Sequence, residues 1–300
     1  MIDFHTPEII DKQWVKERLS NRDNLTCEYS FSNIFSYTAK MRLEIADVAG
    51  YLVTRCFTDD TIGYCYPVGS GDIKAVIALI IEDMRIQNRP CYFFGLGADE
   101  AEELKGLYGD LFDISFDRDG CDYIYKSENL INLAGKKYQP KRNHISYFRK
   151  TYNWSYEKMS AENIEDCYNM NVEWIQTSGS LYSEDLEKEL QIIRRVFENF
   201  DALDCKGAVL RIDGKVIAFA MGTQIRTDTF CVHFEKAFSN IRGAYPMINQ
   251  QFVENELSAF KYIDREDDLG LENLRKAKLS YYPDLLPEKY EAWLIDADRC

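Results

Sequence analysis

Histidine is scarce in this 300-residue chain, and no two cysteines stand close enough to form a C-x-x-C pair. Only His5, His144 and His233 occur, and none lies in an H-E-x-x-H spacing, so a histidine-rich metal centre is excluded and no metal is expected. The nine cysteines, at 27, 56, 65, 91, 121, 167, 205, 231 and 300, are odd in number and scattered. That pattern argues against a zinc ribbon, a redox pair or a secreted disulfide framework, and it points to a reducing cytoplasm. Long apolar runs are missing too: the longest, Ala75 to Ile81, falls far short of the ~20 residues a bilayer requires. The opening Met-Ile-Asp-Phe-His has neither a basic region nor an apolar stretch, so neither a leader nor a transmembrane segment is expected. No G-x-S-x-G or P-loop is present, and Gly95-Leu96-Gly97-Ala98 lacks the third glycine of a dinucleotide fingerprint.

What is present describes a large folded protein. Hydrophobic residues make up 46% and charged residues 29%, while 20 Tyr and 17 Phe supply many large packing units. At this length two packed domains are the natural expectation. The formal net charge of −14 repels nucleic acid and anionic membranes at long range, so such a partner must meet a local basic patch. One lies between residues 126 and 150, where Lys126, Lys136, Lys137, Lys141, Arg142, Arg149 and Lys150 face the single acid Glu128.

Periodicity predicts helices near 7–19 and 31–38, then short strands at 42–45, 51–57 and 61–67, divided by Gly50 and the Asp59-Asp60 pair. Gly69-Ser70-Gly71-Asp72 opens a helix with Ile73, Val76, Ile77, Ile80 and Met84 on one face and Asp72 as N-cap. A strand at 91–94, a helix at 99–108 and a strand at 123–125 complete this half. A helix at 161–177 begins the second, followed by a hairpin of 208–212 and 216–221 turned by Asp213-Gly214. A strand at 229–235, a helix at 245–260, a strand at 262–263, a helix at 271–279 and a strand at 291–295 follow. The same order is thus written twice, which suggests an internally duplicated α/β chain; an unduplicated α+β protein is the alternative.

Three places could carry chemistry. The run from Asp264 to Leu279 follows a strand, and the carboxyl edge of a sheet is where open α/β folds place ligands. Carboxylates such as Asp267 could take a proton from an attacking group, while Arg275 and Lys278, three apart on one helical face, could hold a phosphate or an oxyanion. A solvated charged turn explains the same residues. From Lys136 to Lys150, basic residues interleave with aromatics, as phosphate contact and base stacking require; an amphipathic helix with Tyr147 and Phe148 packed inward is the alternative. Third, His233-Phe234-Glu235-Lys236 precedes Arg242-Gly243-Ala244-Tyr245-Pro246, a glycine turn entering a helix and so an anion site in waiting, unless Gly243 only closes a turn.

At these places the sequence resembles the family of phosphatidylglycerol lysyltransferase C-terminal domains, a tandem GNAT-like (acyl-CoA N-acyltransferase-like) fold related to the Fem-type peptidoglycan aminoacyltransferases. The resemblance is carried by Asn132-Leu133-Ala134-Gly135-Lys136-Lys137 with Lys141-Arg142-Asn143, by the turn from Arg242 to Pro246, and by Arg265 to Gly270 with Leu274, Arg275 and Lys278. It implies two GNAT-like domains with mixed, mostly antiparallel sheets flanked by helices. Residues 1–125 would form the first and 126–300 the second, which carries the site in or near the cleft between them, with 126–150 as a basic connector.

The function implied is transfer of an aminoacyl group from aminoacyl-tRNA to a lipid headgroup or another amine or hydroxyl acceptor, without a cofactor or covalent enzyme intermediate. Lys141, Arg142 and Asn143 would contact the tRNA acceptor end or a phosphate. Arg242, with Gly243 and Tyr245 in its turn, would sit beside the ester. Asp267, Arg275 and Lys278 would line the acceptor side, and Glu235 would be the base. The membrane domain that precedes this one in the lipid-modifying synthases is missing from the chain. A CoA-dependent N-acyltransferase acting on a small amine or peptide is the rival enzyme, although Arg242-Gly243-Ala244 does not reproduce the acetyl-CoA loop and coenzyme A is unsupported. A non-catalytic ligand-binding protein of the same fold is the third reading. Donor amino acid, acceptor and oligomeric state are not legible in the sequence.

Overall fold

Alternating short β-branched strands and glycine-punctuated helices give the chain its layers. The computed structural model describes residues 1–20, 26–58, 60–87, 89–177 and 184–295; Asp59 and Cys300 lie outside them. In chain order come α1 (Lys12–Leu19), α2 (Phe31–Ser36), β1 (Arg42–Val48), β2 (Tyr51–Phe57), β3 (Ile62–Cys65), β4 (Val68–Gly69), α3 (Ile73–Ile86), β5 (Cys91–Leu96), α4 (Ala98–Tyr108) and β6 (Phe112–Phe116). They are followed by β7 (Ile124–Lys126), α5 (Ser127–Asn132), α6 (Gln139–Thr151), β8 (Trp154–Lys158), α7 (Ile164–Thr177) and α8 (Glu184–Glu198). The chain continues through β9 (Lys206–Ile212), β10 (Lys215–Gln224), β11 (Thr229–Ala237), α9 (Ala244–Glu256), β12 (Tyr262–Asp264), α10 (Glu272–Leu279) and β13 (Tyr290–Leu294).

Two compact units result, one of residues 1–122, 267–271 and 286–300, the other of residues 123–266 and 272–285. The first sheet runs β1-β2-β3-β5-β13-β6 with β4 paired to β2, and the second runs β7-β12-β11-β10-β9-β8. Each contains one parallel pair among the described strands, β3 with β5 and β11 with β12, and a helix, α3 or α9, makes each crossover. Helix α3 forms as the sequence predicts: the Asp72 carboxylate accepts the Ala75 N–H at 3.1 Å, and Val76, Ile77, Ile80 and Met84 are buried. They pack on Ile62, Tyr64 and Phe93 of the sheet, each buried aliphatic or aromatic side chain contributing about 1.5–3 kcal/mol. In the second unit Phe148, Phe219, Phe230 and Phe252 are at most 1% exposed.

The short strands near residue 125 and residue 292 do not stay in the halves to which the sequence reading assigned them. β7 pairs with β12 in the second sheet, and β13 inserts between β5 and β6 in the first. A three- to five-residue strand carries too little pattern to name its neighbour; the open edges of β5 and β12 decide. The Asp213-Gly214 turn is as expected, with φ of +48° and +84° at its two residues. Strands β6 and β8 and helix α8 are additions that the periodicity did not single out. The basic stretch from 136 to 150 is largely helix α6, with Phe148 buried as its helical reading required but Tyr147 turned outward.

Candidate active site in the second unit

The sheet of the second unit prepares its site by breaking its own register. Between β10 and β11 the pairing shifts at Met221/Gly222, Met221 facing Phe234 and Gly222 facing Val232, so His233 has no partner residue across the ladder. Gly222 permits the close approach, since a Cβ there would lie 1.8 Å from the Cys231 carbonyl oxygen. His233 then reaches Thr223 Oγ1 through Nε2 at 2.7 Å and Glu266 Oε1 through Nδ1 at 2.8 Å. The β11–β12 ladder ends at Cys231 opposite Asp264; beyond it, side chains bridge the two segments in place of backbone hydrogen bonds.

The second bridge lies further along β11. Glu235 Oε1 accepts from Arg265 Nη2 at 2.8 Å, and Glu235 Oε2 accepts from Asn249 Nδ2 at 2.9 Å. The paired side chains are 12% and 11% exposed, so each charge depends on the other for solvation. Burial disfavours the Arg265 cation, but the attraction of Glu235 outweighs it and raises its pKa above the usual arginine value. Arg265 also sits 4.8 Å from the Tyr281 ring centroid and 5.7 Å from that of Tyr125.

Lys141, from α6, places its ammonium 3.9 Å from the same Tyr281 centroid. Burial, reinforced by repulsion from Arg265 and opposed by Glu235, pulls its pKa down from 10.5 to about 8. Burial also pushes the Tyr281, Tyr125 and Tyr245 hydroxyls up, so they stay protonated at neutral pH. Lys141 is thus a lysine able to exchange a proton near physiological pH, beside a buried cation and an aromatic wall.

The other sequence-derived candidates divide by role. Arg142 donates Nη1 to the Leu133 and Gly135 carbonyls, closing the end of α5 where Leu133 turns left-handed. Asn143 is exposed on α6. Lys278, expected at a phosphate or oxyanion, is buried and donates to the carbonyls of Arg265 and Glu266 at 2.7 and 3.1 Å. It therefore holds the segment that carries Arg265. Arg275 is half-buried on α10. Asp267 belongs to the first unit, where its carboxylate accepts the Leu269 N–H. Arg242 is exposed and stacks 4.4 Å over Tyr147. Tyr245 is half-buried in the first turn of α9. Gly243 is the N-cap of α9 at φ +89°, and a Cβ there would come within 2.5 Å of the His144 carbonyl oxygen. Gly243→Ala should therefore lower stability by roughly 1–3 kcal/mol in a urea titration.

Glu235 and Lys141 are thus brought together, and the residues joining them, Arg265, Asn249 and Tyr281, were given no site role from sequence. Arg265 had a usable signal, standing immediately after β12; Asn249 had none.

Two further clusters bring three metal-ligating side chains together among the described residues. Cys231, His233 and Glu266 form one, and both ring nitrogens of its histidine are engaged in the bridge already described. Cys27, Asp122 and Asp267 form the other, in the first unit. There a 1%-exposed lysine supplies the positive charge: Lys289 Nζ lies 3.0 Å from Asp122 Oδ1 and 2.6 Å from Glu28 Oε1. Burial raises the Asp122 pKa from 3.8 to about 6, with the Glu28 charge adding to it and Lys289 opposing. Lys289 is held well above its ordinary pKa, its acidic neighbours overcoming burial. An open depression of about 550 Å³ on the first unit is lined by Arg42, Phe57, Ile62, Gln87 and Arg89.

Two mixed sheets, each with a helical crossover at its one parallel pair, define a tandem GNAT-like fold, shared with FemX (TM-score 0.66, 9% identity, 99% of this chain and 98% of that one). The chain belongs to the phosphatidylglycerol lysyltransferase C-terminal family, whose model matches residues 20–292. A conserved protein of unknown function from Bacteroides thetaiotaomicron is 36% identical, with a TM-score of 0.93 over 98% of this chain and 100% of that one. L-PGS from Bacillus licheniformis has the same fold at 14% identity, with a TM-score of 0.65 over 96% and 92% of the two chains. An uncharacterised protein of Mycoplasmoides gallisepticum is 25% identical over 179 residues, so the match spans 56% of this chain and 54%, about half, of that relative.

Proposed function

We propose that this protein transfers the aminoacyl group of an aminoacyl-tRNA directly to an amine or hydroxyl acceptor, a lipid headgroup being the acceptor class that the family name suggests. The observation that carries this is Lys141, poised at a pKa of about 8 against Tyr281 and beside the Glu235–Arg265 pair. Near pH 7.5 roughly a quarter of such a lysine is the neutral amine, which can accept a proton. As the acceptor attacks the ester carbonyl carbon, its proton passes to Lys141 and the oxygen gains the negative charge that Arg265 stabilises. Collapse of that intermediate breaks the ester bond, and Lys141 returns the proton to the departing ribose oxygen. Glu235, tied on both oxygens, holds Arg265 in place; the role of base proposed for it from sequence passes to Lys141.

The exposed cations Lys136, Lys137, Arg149 and Lys150 on and beside α6 give the tRNA a local basic surface on an otherwise acidic protein. Among the described residues no helix is long and apolar enough to cross a membrane.

Purified protein given labelled aminoacyl-tRNAs or labelled acetyl-CoA, with phosphatidylglycerol vesicles and a cell extract as acceptor sources, distinguishes the readings. Label should leave tRNA for an acceptor. Movement from acetyl-CoA alone would establish the CoA-dependent enzyme instead, and silence from both donors would favour a ligand-binding protein.

A further inference from the structure

Beside Glu235 two buried polar atoms of opposite character have no hydrogen-bond partner among the described residues: Asn249 Oδ1, an acceptor, and Arg265 Nη1, a donor. Asn249 is 2% exposed, and the orientation of its amide is fixed because the carboxylate it touches can only accept; Nδ2 must face Glu235, leaving Oδ1 free. Arg265 binds the other oxygen of the same carboxylate through Nη2. An orphaned acceptor and an orphaned donor therefore flank one buried negative charge, a costly arrangement unless an ordered water or a ligand completes it.

The chemistry of that ligand follows from the three groups. A phosphodiester would satisfy Arg265 but bring only acceptors to Asn249 Oδ1 and a negative charge to Glu235. A simple alkylamine would satisfy Asn249 and leave Arg265 unmet. An ammonium borne on the carbon next to a carbonyl group meets all three, the ammonium donating to Asn249 Oδ1 under the field of Glu235 and the carbonyl oxygen accepting from Arg265 Nη1. We infer that Asn249 and Arg265 recognise the α-ammonium and carbonyl of an aminoacyl group, so that donors with a free α-amine are accepted and N-acylated ones rejected. The inference rests on the transfer reading above and adds to it a selectivity that is independent of the amino-acid side chain. Acylation removes the charge and all but one N–H of the amine, and it adds bulk beside Asn249.

The test uses the full chain with alaninamide and N-acetylalaninamide, stable stand-ins for the free and blocked aminoacyl ends, titrated by calorimetry or protein NMR. Alaninamide should bind at least about tenfold more tightly, the loss expected when a charge-assisted hydrogen bond is forfeited. Asn249→Leu should bring the ratio towards one by weakening alaninamide alone. Because the ratio is taken within one variant, a partly unfolded preparation cannot imitate it, and Asn249→Ser serves if the leucine variant does not fold. Equal binding of the two amides, or binding of neither, overturns the inference. Alanyl-tRNA and N-acetylalanyl-tRNA serving equally well as donors would overturn it and leave the transfer reading standing. Discrimination between the amides without transfer from any tRNA would support the subsite and remove the function.

Discussion

Lys289→Met should be among the most damaging single substitutions in the first unit, lowering stability by about 3–5 kcal/mol, because it leaves the buried Asp122 and the half-buried Glu28 without their shared cation. Asp122 is completely buried, so water cannot replace the lysine. Adding Asp122→Asn to the lysine variant should recover part of the loss, whereas two independent sites would give additive losses. The native protein carries a related pH signature. The folded pKa of Asp122, about 6, lies above its ordinary value of 3.8, so the folded state binds more protons between these limits. Its contribution therefore lowers stability as pH rises from about 4 to 6, and Asp122→Asn should remove that slope. Urea titrations of the four proteins at pH 5 and pH 8 check both statements, and the Lys289→Met loss should be the smaller at pH 5.

Lys141→Met should reduce transfer by roughly 10²–10⁴-fold, the range expected when a general acid–base group is removed. The native rate should rise with pH through an inflection near 8 and level off above it, following the neutral form of Lys141. In the methionine variant the residual rate should lose that inflection. Folding should survive, since a methionine keeps contact with Tyr281 and removes a charge whose burial is unfavourable. Initial rates between pH 6 and 9.5 separate the possibilities: an unchanged inflection in the variant would assign the titration to another group.

Much of this architecture was legible because its signals are local. The Asp72 cap with the apolar face of α3, and the Asp213-Gly214 hairpin, need only neighbours in sequence. β7 and β13 show where that stops, since each is placed by a strand more than 130 residues away in the chain, β12 for one and β5 and β6 for the other. The site divides in the same way. Charged residues following a strand drew attention to the segment from Asp264 onward, but sequence cannot tell a cation aimed at a ligand from one aimed at a carbonyl. Lys278 and Arg142 proved to be of the second kind. The depressed lysine among the basic residues of α6 was equally hidden: Lys141 differs from Arg142 and Asn143 only in the face of the helix it occupies, and that face meets Tyr281.

The most direct measurement of the central proposal is a single-turnover reaction with enzyme in excess over labelled aminoacyl-tRNA, quenched at intervals with acceptor present. The predicted result is loss of the tRNA ester and appearance of label on the acceptor at the same rate, with none bound to protein. An ester that outlasts the reaction as it does in buffer alone, or label accumulating on the enzyme, would contradict direct transfer.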